Sequence, residues 1–495
     1  MSAPRFVGPL IGRAAVYAQP DIQLFGSDLG FTFEHGGRIH VLCGDSYSRD
    51  DSACFEGAHV SDDLIATLPL DFTGSLPALE IPTKPSAPTQ FRSPRLFRAG
   101  AEVVLDAFKV PIGGFSDGDN MFVLFQSQTP VTCGAADACP SQAGVTCTPR
   151  IPVCAPASVT VPTTCERCLV GQCPVNQSLC VDTRSSQYEE SSRGRAASVL
   201  SIVDIGRPRA TDALQFDSVV QWKTNTFSHP TVRTVKTFSG TRDGNDYSPG
   251  SNSLFLWGRP SMIAEEGREA RLYFATQQLP LERDGANLWS PKYYAGLEPS
   301  GEPRWSADAA DAKPLALDGD PDGDPHEELS IVGTTSISWL GAPIDRWVLM
   351  YSGDVPDILL ADPRGSRRAN PKGAVMIRFA EHPWGPWSKA TPHLAPGSPT
   401  KIGDPYGPGG FVYSPECKDT PDMQCAKAEP WTLGLFSACV KTTVAEPGRL
   451  YAPNIIDRYT RRNQQGGLDV SWLVSTWNPY TLVMMQTTIA LASSK

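Results

Sequence analysis

The sequence contains no long apolar run and no large cluster of basic residues. Its longest apolar runs have the length of β-strands and fall short of the roughly 18 residues that a membrane-spanning helix needs. The 495 residues carry a formal net charge of −10, and the only basic run is the short segment at 364–368. These features predict no membrane-spanning segment and no nucleic-acid partner, and they favour a neutral polymer as the substrate. Nothing in the sequence fixes an oligomeric state, and we expect a monomer.

Several catalytic motifs are also missing. There is no H-E-x-x-H zinc motif, no Walker loop, no G-x-G-x-x-G after a strand, and no S-x-D-x-G-x-T-W box of the sialidase type. Metalloprotease, nucleotide and dinucleotide chemistry therefore have no support. Of the common catalytic types, only catalysis by carboxylate side chains keeps support from the sequence. We expect this catalysis to require no cofactor.

Cysteines are concentrated in one segment. Eight of the 13 cysteines lie between Cys133 and Cys180, and residues 131–182 contain almost no large apolar side chain. Such a segment cannot build a core, so we expect a disulfide-rich insertion. Zinc is the alternative, because Cys165 and Cys168 have C-x2-C spacing. Disulfides indicate a secreted, periplasmic or cell-surface protein, although the N-terminus lacks the pattern of a leader peptide.

Short strands dominate the rest of the chain. The 43 glycines and 45 prolines separate about twenty short runs rich in Val, Ile, Phe, Trp and Tyr, and long helical periodicity is absent. Sets of four short antiparallel strands repeated about five times predict an all-β fold, a β-propeller formed by residues 1–495 as one domain. A pair of β-sandwiches is the alternative.

Residues 26–48 predict a β-hairpin whose turn is Gly36-Gly37. Two adjacent glycines supply the positive φ angles of a type I′ turn. Regular pairing outward from this turn places Asp28 directly opposite Asp45 at the open end of the hairpin. Opposed carboxylates destabilise a sheet, so such a pair indicates an acid and base or a cation site. A strand-end aspartate that caps a turn is the alternative.

Further candidates lie in the second half of the chain. Glu328 opens an apolar strand and is a candidate third acid. His229, between apolar segments, fits either a hydrogen bond to substrate or a histidine of the core. Trp477 and Tyr480 fit stacking on sugar rings, and Asn478 between them is assigned to the same substrate site.

One acidic loop resembles the first half of a calcium loop. Alternate oxygens around a hard cation explain a D-x-D-x-D-G pattern, but the twelfth position is Leu329 where an EF-hand has Glu. Structural calcium and a merely acidic surface loop both fit this segment. The candidate ligands are Asp318, Asp320, Asp322 and Asp324.

Several segments, in order along the chain, resemble a propeller family of bacterial endo-D-arabinanases that was formerly a domain of unknown function. The resemblance covers nearly the whole chain apart from the cysteine-rich segment. It departs from the family at Cys43, where an aromatic residue usually precedes Gly-Asp. The matching segments are residues 27–30, 42–46, 328–331, 346–351, 385–388, 450–454 and 475–480.

The resemblance implies a five-bladed propeller that hydrolyses D-arabinofuranosyl linkages in a cell-wall arabinan. It also implies that Asp28 and Asp45 are the catalytic acids. A non-catalytic carbohydrate-binding or cell-surface adhesion propeller is the alternative function.

Overall fold

Five β-sheets surround a central channel in a computed structural model of the chain. The innermost strands contact one another in ring order, so the sheets are the blades of a five-bladed β-propeller. This arrangement confirms the all-β propeller prediction. The structure describes residues 1–12, 15, 22, 24, 26–47, 62–103, 110–128, 132–135, 177–180, 201–224, 226–259, 271–281, 289–317, 332–354, 373–394, 450–476 and 481–490.

The innermost strands of the five blades follow one another in order along the chain. Blade 1 contains β2 (Gly26–His35), β3 (Arg38–Tyr47) and β4 (Asp62–Leu68). Blade 2 contains β9 (Val110–Asp117), β10 (Asn120–Gln128), β13 (Ser201–Arg209) and β14 (Asp212–Thr224), and is extended by β7 (Arg95–Arg98) and β8 (Ala101–Val103). Blade 3 contains β15 (Ser228–Val235), β16 (Ser253–Arg259), β17 (Tyr273–Gln278), β18 (Lys292–Leu297) and β19 (Pro303–Ser306).

The last blade closes the ring with the N-terminus of the chain. Blade 4 contains β20 (Val332–Leu340), β21 (Arg346–Asp354), β22 (Gly373–Ala380) and β23 (Thr391–Leu394). Blade 5 contains β24 (Leu450–Ile455), β26 (Leu468–Thr476) and β27 (Thr481–Ile489), with β25 (Arg461–Arg462) beside β26 and β1 (Arg5–Ile11) as its outer strand. Small elements complete the description: the hairpin of β5 (Thr83–Lys84) and β6 (Ala87–Phe91), and 3₁₀ turns at Ala309–Asp311 and Asp457–Tyr459.

Apolar side chains fill the spaces between neighbouring blades. Strands buried on both faces are typical of this arrangement, and β16 is buried along its whole length. The largest buried side chains include Trp257 and Trp347, which pack together between blades 3 and 4. No helix in the described part of the chain is long and apolar enough to cross a membrane.

All five innermost strands are bulged near their beginning. In each blade the inner strand contains one or two more residues than the paired stretch of its neighbour. Bulges re-aim side chains and are frequent beside active sites. We call this end of the channel the mouth. The extra residues lie at Gly30, at Ile112, within 229–230, within 333–334 and within 452–453.

The cysteine-rich segment joins β10 to β13 in blade 2. At its base β11 (Thr132–Ala135) pairs antiparallel with β12 (Gln177–Cys180), and Ala135 lies opposite Gln177. Residues 136–176 lie outside the described residues, as do the side chains of these two strands. The prediction of disulfides here therefore stays a prediction. Cys43, in the core, is a free cysteine.

The pairing of β11 with β12 predicts that the cysteine-rich segment can be removed without unfolding the propeller. Replacing residues 136–176 with Asn-Gly should join Ala135 to Gln177 through a two-residue turn, because these residues are directly opposite each other. We expect the propeller to keep its far-ultraviolet circular dichroism spectrum and its thermal midpoint within a few degrees. Loss of soluble, folded protein would contradict an insertion that is independent of the propeller core.

Candidate active site

A buried carboxylate lies at the mouth of the channel. Asp28, the third residue of β2, is only 9% exposed. The hydroxyl of Tyr451, at the start of β24 in blade 5, donates a hydrogen bond to Asp28 Oδ2 at 3.0 Å. Blades 1 and 5 therefore meet at this carboxylate.

Gly44 makes room for that carboxylate. In β3, Gly44 lies directly opposite Asp28. A Cβ atom at Gly44 would lie 3.0 Å from Asp28 Oδ1 and 3.1 Å from Val110 Cγ1 of blade 2. The absence of a side chain at this position thus lets Asp28 pack across β3 toward the neighbouring blade.

We predict that Gly44→Ala disturbs activity more than stability. The added methyl group displaces the Asp28 carboxylate by a few tenths of an ångström, and such a displacement is costly if Asp28 has the catalytic role predicted for it. The expected result is about a 10- to 100-fold lower kcat with a thermal midpoint close to that of the parent, measured by steady-state kinetics and calorimetry. Unchanged kcat would show that the position of Asp28 is not critical.

The predicted register between Asp28 and Asp45 is wrong. Pairing is regular from His35 opposite Arg38 to Phe31 opposite Leu42, but Gly30 is then an extra residue, so Asp28 faces Gly44. Leu29 and Gly30 both have positive φ, at 69° and 72°. These angles form the bulge that shifts the register.

A second irregularity places Asp45 beyond the expected position. Gly26 pairs with Tyr47, so Asp45 and Ser46 together span the position opposite Ser27. The Ser27 and Ser46 hydroxyls form a buried hydrogen bond of 2.7 Å. Asp45 is in the described backbone of β3, but its side chain lies outside the described residues.

Other buried groups surround this end of blade 1. Cys43 is completely buried, and its thiol pKa is raised to about 12, chiefly by burial and also by the Asp28 and Asp63 carboxylates. Asp63 of β4 is 4% exposed. Asp63 was not among the predicted site residues, because a polar residue at the start of a strand is usually solvated.

His229 occupies the corresponding bulge in blade 3. It has a positive φ of 46° and is 3% exposed. Its backbone N–H donates to Gln126 Oε1, which directs Gln126 Nε2 toward His229 Nδ1 at 3.0 Å. Since Gln126 Nε2 can only donate, Nδ1 must accept, and the ring proton lies on Nε2.

Burial keeps His229 neutral. Burial, and after it the nearby Arg259 guanidinium, lower the pKa of the imidazole to about 3. Arg259, 2% exposed in β16, itself has a pKa lowered to about 9 by burial. A non-glycine residue with positive φ, held neutral by its surroundings, is typical of a functional position.

Asp28 and His229 lie at the same end of the channel. Val110, which lies beside Gly44, pairs in the sheet with Gln126, and Gln126 binds His229. A continuous set of contacts therefore leads from Asp28 through blade 2 to blade 3. The roles of Gln126, Arg259 and Tyr451 were not predicted, because nothing local in the sequence connects them to the acids.

Other predicted site residues lie outside the described residues. These are Glu328, Trp477, Asn478, Tyr480, and the four aspartates Asp318, Asp320, Asp322 and Asp324. Within the described ranges, no three His, Cys, Asp or Glu side chains are grouped as metal ligands.

One G-x-S-x-G string occurs, at residues 114–118, but it is not a nucleophile elbow. It ends β9 and enters a hairpin turn at the end of the channel opposite the mouth. Ser116 Oγ donates to the Glu34 carbonyl at 2.6 Å and contacts His35 Nδ1 at 3.0 Å. Because the Ser116 proton is directed to a backbone carbonyl, His35 Nδ1 donates to Ser116 Oγ in this arrangement and does not accept the Ser116 proton.

We predict a loss of stability in mild acid. Burial is the main cause that lowers the pKa to about 4 for His40 and His393, and to about 3 for His229. Their stabilising contribution is complete above the unfolded pKa of about 6.5 and is lost as pH falls toward 4. The thermal midpoint should therefore fall between pH 6.5 and 5.

His393→Gln should reduce that slope. His393 is buried in β23 and contacts Thr487 Oγ1 through Nε2 at 2.7 Å, a contact that the Gln amide can reproduce. Calorimetric scans at fixed pH values measure the effect. A midpoint that is constant from pH 7.5 to 5 would contradict the prediction.

Comparisons with known proteins reveal similarity only at the level of structure. The chain matches no protein-family model and no curated protein. It is similar to the catalytic domain of a GH62 α-L-arabinofuranosidase from Coprinopsis cinerea, with 9% identity over 98% of this chain and 97% of that one, and a TM-score of 0.35.

Two further solved structures are similar in the same way. A GH43_1 enzyme from Xanthomonas citri is 9% identical over 99% of this chain and 92% of its own, with a TM-score of 0.36. A mutant α-L-arabinanase from Cellvibrio cellulosa is 8% identical over 95% of this chain and 94% of its own, with a TM-score of 0.29.

Proposed function

We propose that the protein is a glycoside hydrolase that cleaves D-arabinofuranosyl linkages within a cell-wall arabinan. The observation that carries this proposal is the buried Asp28 carboxylate at the channel mouth, bound by Tyr451 from another blade and packed over Gly44. The family resemblance of the sequence supplies the substrate class. A cell-wall substrate places the enzyme outside the cytoplasm, in the periplasm or at the cell surface.

The chemistry requires two carboxyl groups in different protonation states. One donates a proton to the leaving sugar oxygen as the bond to the anomeric carbon breaks. The other, ionised, either accepts a proton from the attacking water or bonds to the anomeric carbon until water replaces it. Each route consumes one water. The covalent route restores both groups within the cycle, whereas the direct route leaves the two protonation states exchanged until proton exchange with solvent resets them. We assign these roles to Asp28 and Asp45, with Glu328 as a third acid that positions or tunes them.

The separation of the two acids is not that of directly opposed residues. The bulge at Gly30 and the irregularity at Asp45 remove the regular pairing on which such a distance would depend. Inverting enzymes place their carboxyl groups about 6.5–9.5 Å apart and retaining enzymes about 5–5.5 Å apart. Following the anomeric configuration of the first product by NMR distinguishes the two routes.

Substrate binding is assigned to His229 together with Trp477, Asn478 and Tyr480. The tautomer fixed by Gln126 makes His229 Nε2–H a neutral donor suited to a sugar oxygen. Neutral donors and aromatic faces suit an uncharged polymer. Catalysis by carboxylates needs no metal, and any calcium at residues 318–324 would serve structure.

Digestion of purified polymers tests the function. We expect D-arabinan to be shortened into oligosaccharides, resolved by chromatography, whereas galactan and fructan should stay intact. L-arabinan provides a second arm that reports on the sugar configuration. Retention of D-arabinan on immobilised protein without any shortening would instead support a binding module, and no cleavage of any of these polymers would overturn the hydrolase assignment.

A further inference from the structure

The Tyr451 hydroxyl connects the last blade to the first at the candidate acid. Tyr451 precedes the bulge of β24, where Ala452 has a positive φ of 48°. This part of the strand directs the phenol across the blade boundary, and its oxygen reaches Asp28 Oδ2 at 3.0 Å. Both partners lie on strands whose apolar residues pack into buried cores. The fold therefore fixes the positions of the phenol and the carboxylate.

The chemistry of the pair determines which partner has the proton. A phenol ordinarily loses its proton near pH 10, and a carboxylic acid near pH 4. Between these values the phenol donates and the carboxylate accepts. A hydrogen bond to the charged form of an acid favours that form.

We propose that Tyr451 is a positioning residue that holds Asp28 ionised, so that Asp28 is the carboxylate that activates water or attacks the anomeric carbon. This inference rests on the proposed function and makes it more specific. The proton donor is then Asp45, which transfers its proton to the leaving oxygen. If Asp28 takes the proton from water, the reaction ends in one displacement, with Asp28 protonated and Asp45 ionised, and proton exchange with solvent resets both groups. If Asp28 bonds to the anomeric carbon, Asp45 then takes a proton from water, the water oxygen replaces Asp28 on carbon, and both groups return to their starting states.

The test compares two tyrosine variants. Tyr451→Phe removes only the hydroxyl that contacts Asp28. Tyr459→Phe is the matched control, because Tyr459 also uses its hydroxyl to connect blade 5 to blade 1, by donating to the Pro69 carbonyl at 2.6 Å at the opposite end of the channel. Circular dichroism and thermal midpoints establish that both variants are folded.

Kinetics on D-arabinan provide the first readout. We expect Tyr451→Phe to lower kcat by about 10- to 100-fold, as expected for loss of a hydrogen bond to a charged group. The acidic limb of its kcat/KM profile should move to higher pH, while Tyr459→Phe keeps the parent profile. Movement of the alkaline limb would make Asp28 the proton donor and overturn the assignment. A profile with neither limb moved would leave Tyr451 a packing residue only and would also overturn it.

A second readout does not depend on activity. Carboxyl ¹³C NMR of protein labelled at aspartate gives the Asp28 signal, identified by its loss in Asp28→Asn. Its titration midpoint should move to higher pH in Tyr451→Phe and remain unchanged in Tyr459→Phe. If the midpoint moves but no polymer is cleaved, the Tyr451–Asp28 contact stands and the hydrolase function fails. If polymer is cleaved but the midpoint is unchanged, the function stands and the role of Tyr451 fails.

Discussion

Asp28→Asn should lower kcat on D-arabinan by about 10²–10⁴-fold while the protein stays folded. The amide has the same shape as the carboxylate and still offers an oxygen to the Tyr451 hydroxyl, so the contact between blades 1 and 5 is preserved. What disappears is the ability to accept a proton or attack carbon. Initial rates at saturating polymer, with calorimetry on the same sample, provide the measurement.

Asp117→Asn is a suitable control for this experiment. Asp117 is also a buried aspartate on an innermost strand, but it lies at the opposite end of the channel and accepts a hydrogen bond from the Leu281 N–H at 2.7 Å. An Asn at this position can make the same bond, so activity should be retained. Near-normal turnover of Asp28→Asn would make Asp28 a structural cap, the alternative that its sequence position also allows.

The same logic extends to the other two acids. Asp45→Asn should cause a loss on the same scale as Asp28→Asn, whereas Glu328→Gln should cost less, because a third acid only tunes or positions the pair. These two variants belong in the same kinetic series as Asp28→Asn. An Asp45 variant that retains full activity would move the role of proton donor to Glu328.

The largest effect on stability is expected from Gly114→Ala. Gly114 of β9 faces the Phe33 ring of β2, and a Cβ atom there would lie 2.3 Å from Phe33 Cε1. Phe33 is buried and stacks on His40, so the ring has little room to move. Overpacking of this kind typically costs about 1–3 kcal/mol. The thermal midpoint, followed by calorimetry, should therefore fall clearly.

A second substitution tests the cause. Phe33→Leu removes ring atoms that the new methyl group would meet, so the double variant should recover part of the stability lost in Gly114→Ala. Gly341→Ala is the control, because the nearest atom to its added Cβ is 3.9 Å away. If Gly114→Ala unfolds at the parent temperature, blades 1 and 2 are not packed as closely as described.

The hairpin of blade 1 illustrates what local sequence can predict. The Gly36-Gly37 turn has φ angles of 57° and 76°, and pairing is as predicted from His35 opposite Arg38 to Phe31 opposite Leu42. Turn chemistry specifies this part because it depends on adjacent residues. The register then shifts at Gly30, next to Leu29, a residue type that rarely adopts positive φ. Packing against neighbouring blades determines that shift, and a local pattern does not reveal it.

Contacts between residues of different blades could not be predicted either, because a local sequence pattern does not connect residues that are far apart in the chain. Tyr451 and Asp28 are 423 residues apart in the chain, and Gln126 and His229 are 103 apart. The regular succession of short strands indicated the propeller, because most strands of one blade are consecutive in the sequence. It did not indicate that β1 completes blade 5, because that pairing joins the two ends of the chain.

Beneath the mouth, the innermost strands are joined by buried polar contacts. Thr32 Oγ1 donates to Asn454 Oδ1 at 2.8 Å, the Thr231 and Thr335 hydroxyls lie 3.0 Å apart, and all four side chains are at most 7% exposed. On the side of these contacts that faces away from the mouth, Arg233 of blade 3 forms an ion pair with Asp457 of blade 5, with 3.0 Å between Nε and Oδ2. For the proposed hydrolase we therefore expect the polysaccharide to lie across the mouth with both of its ends free, and the cut fragments to leave by the side from which the intact chain arrived.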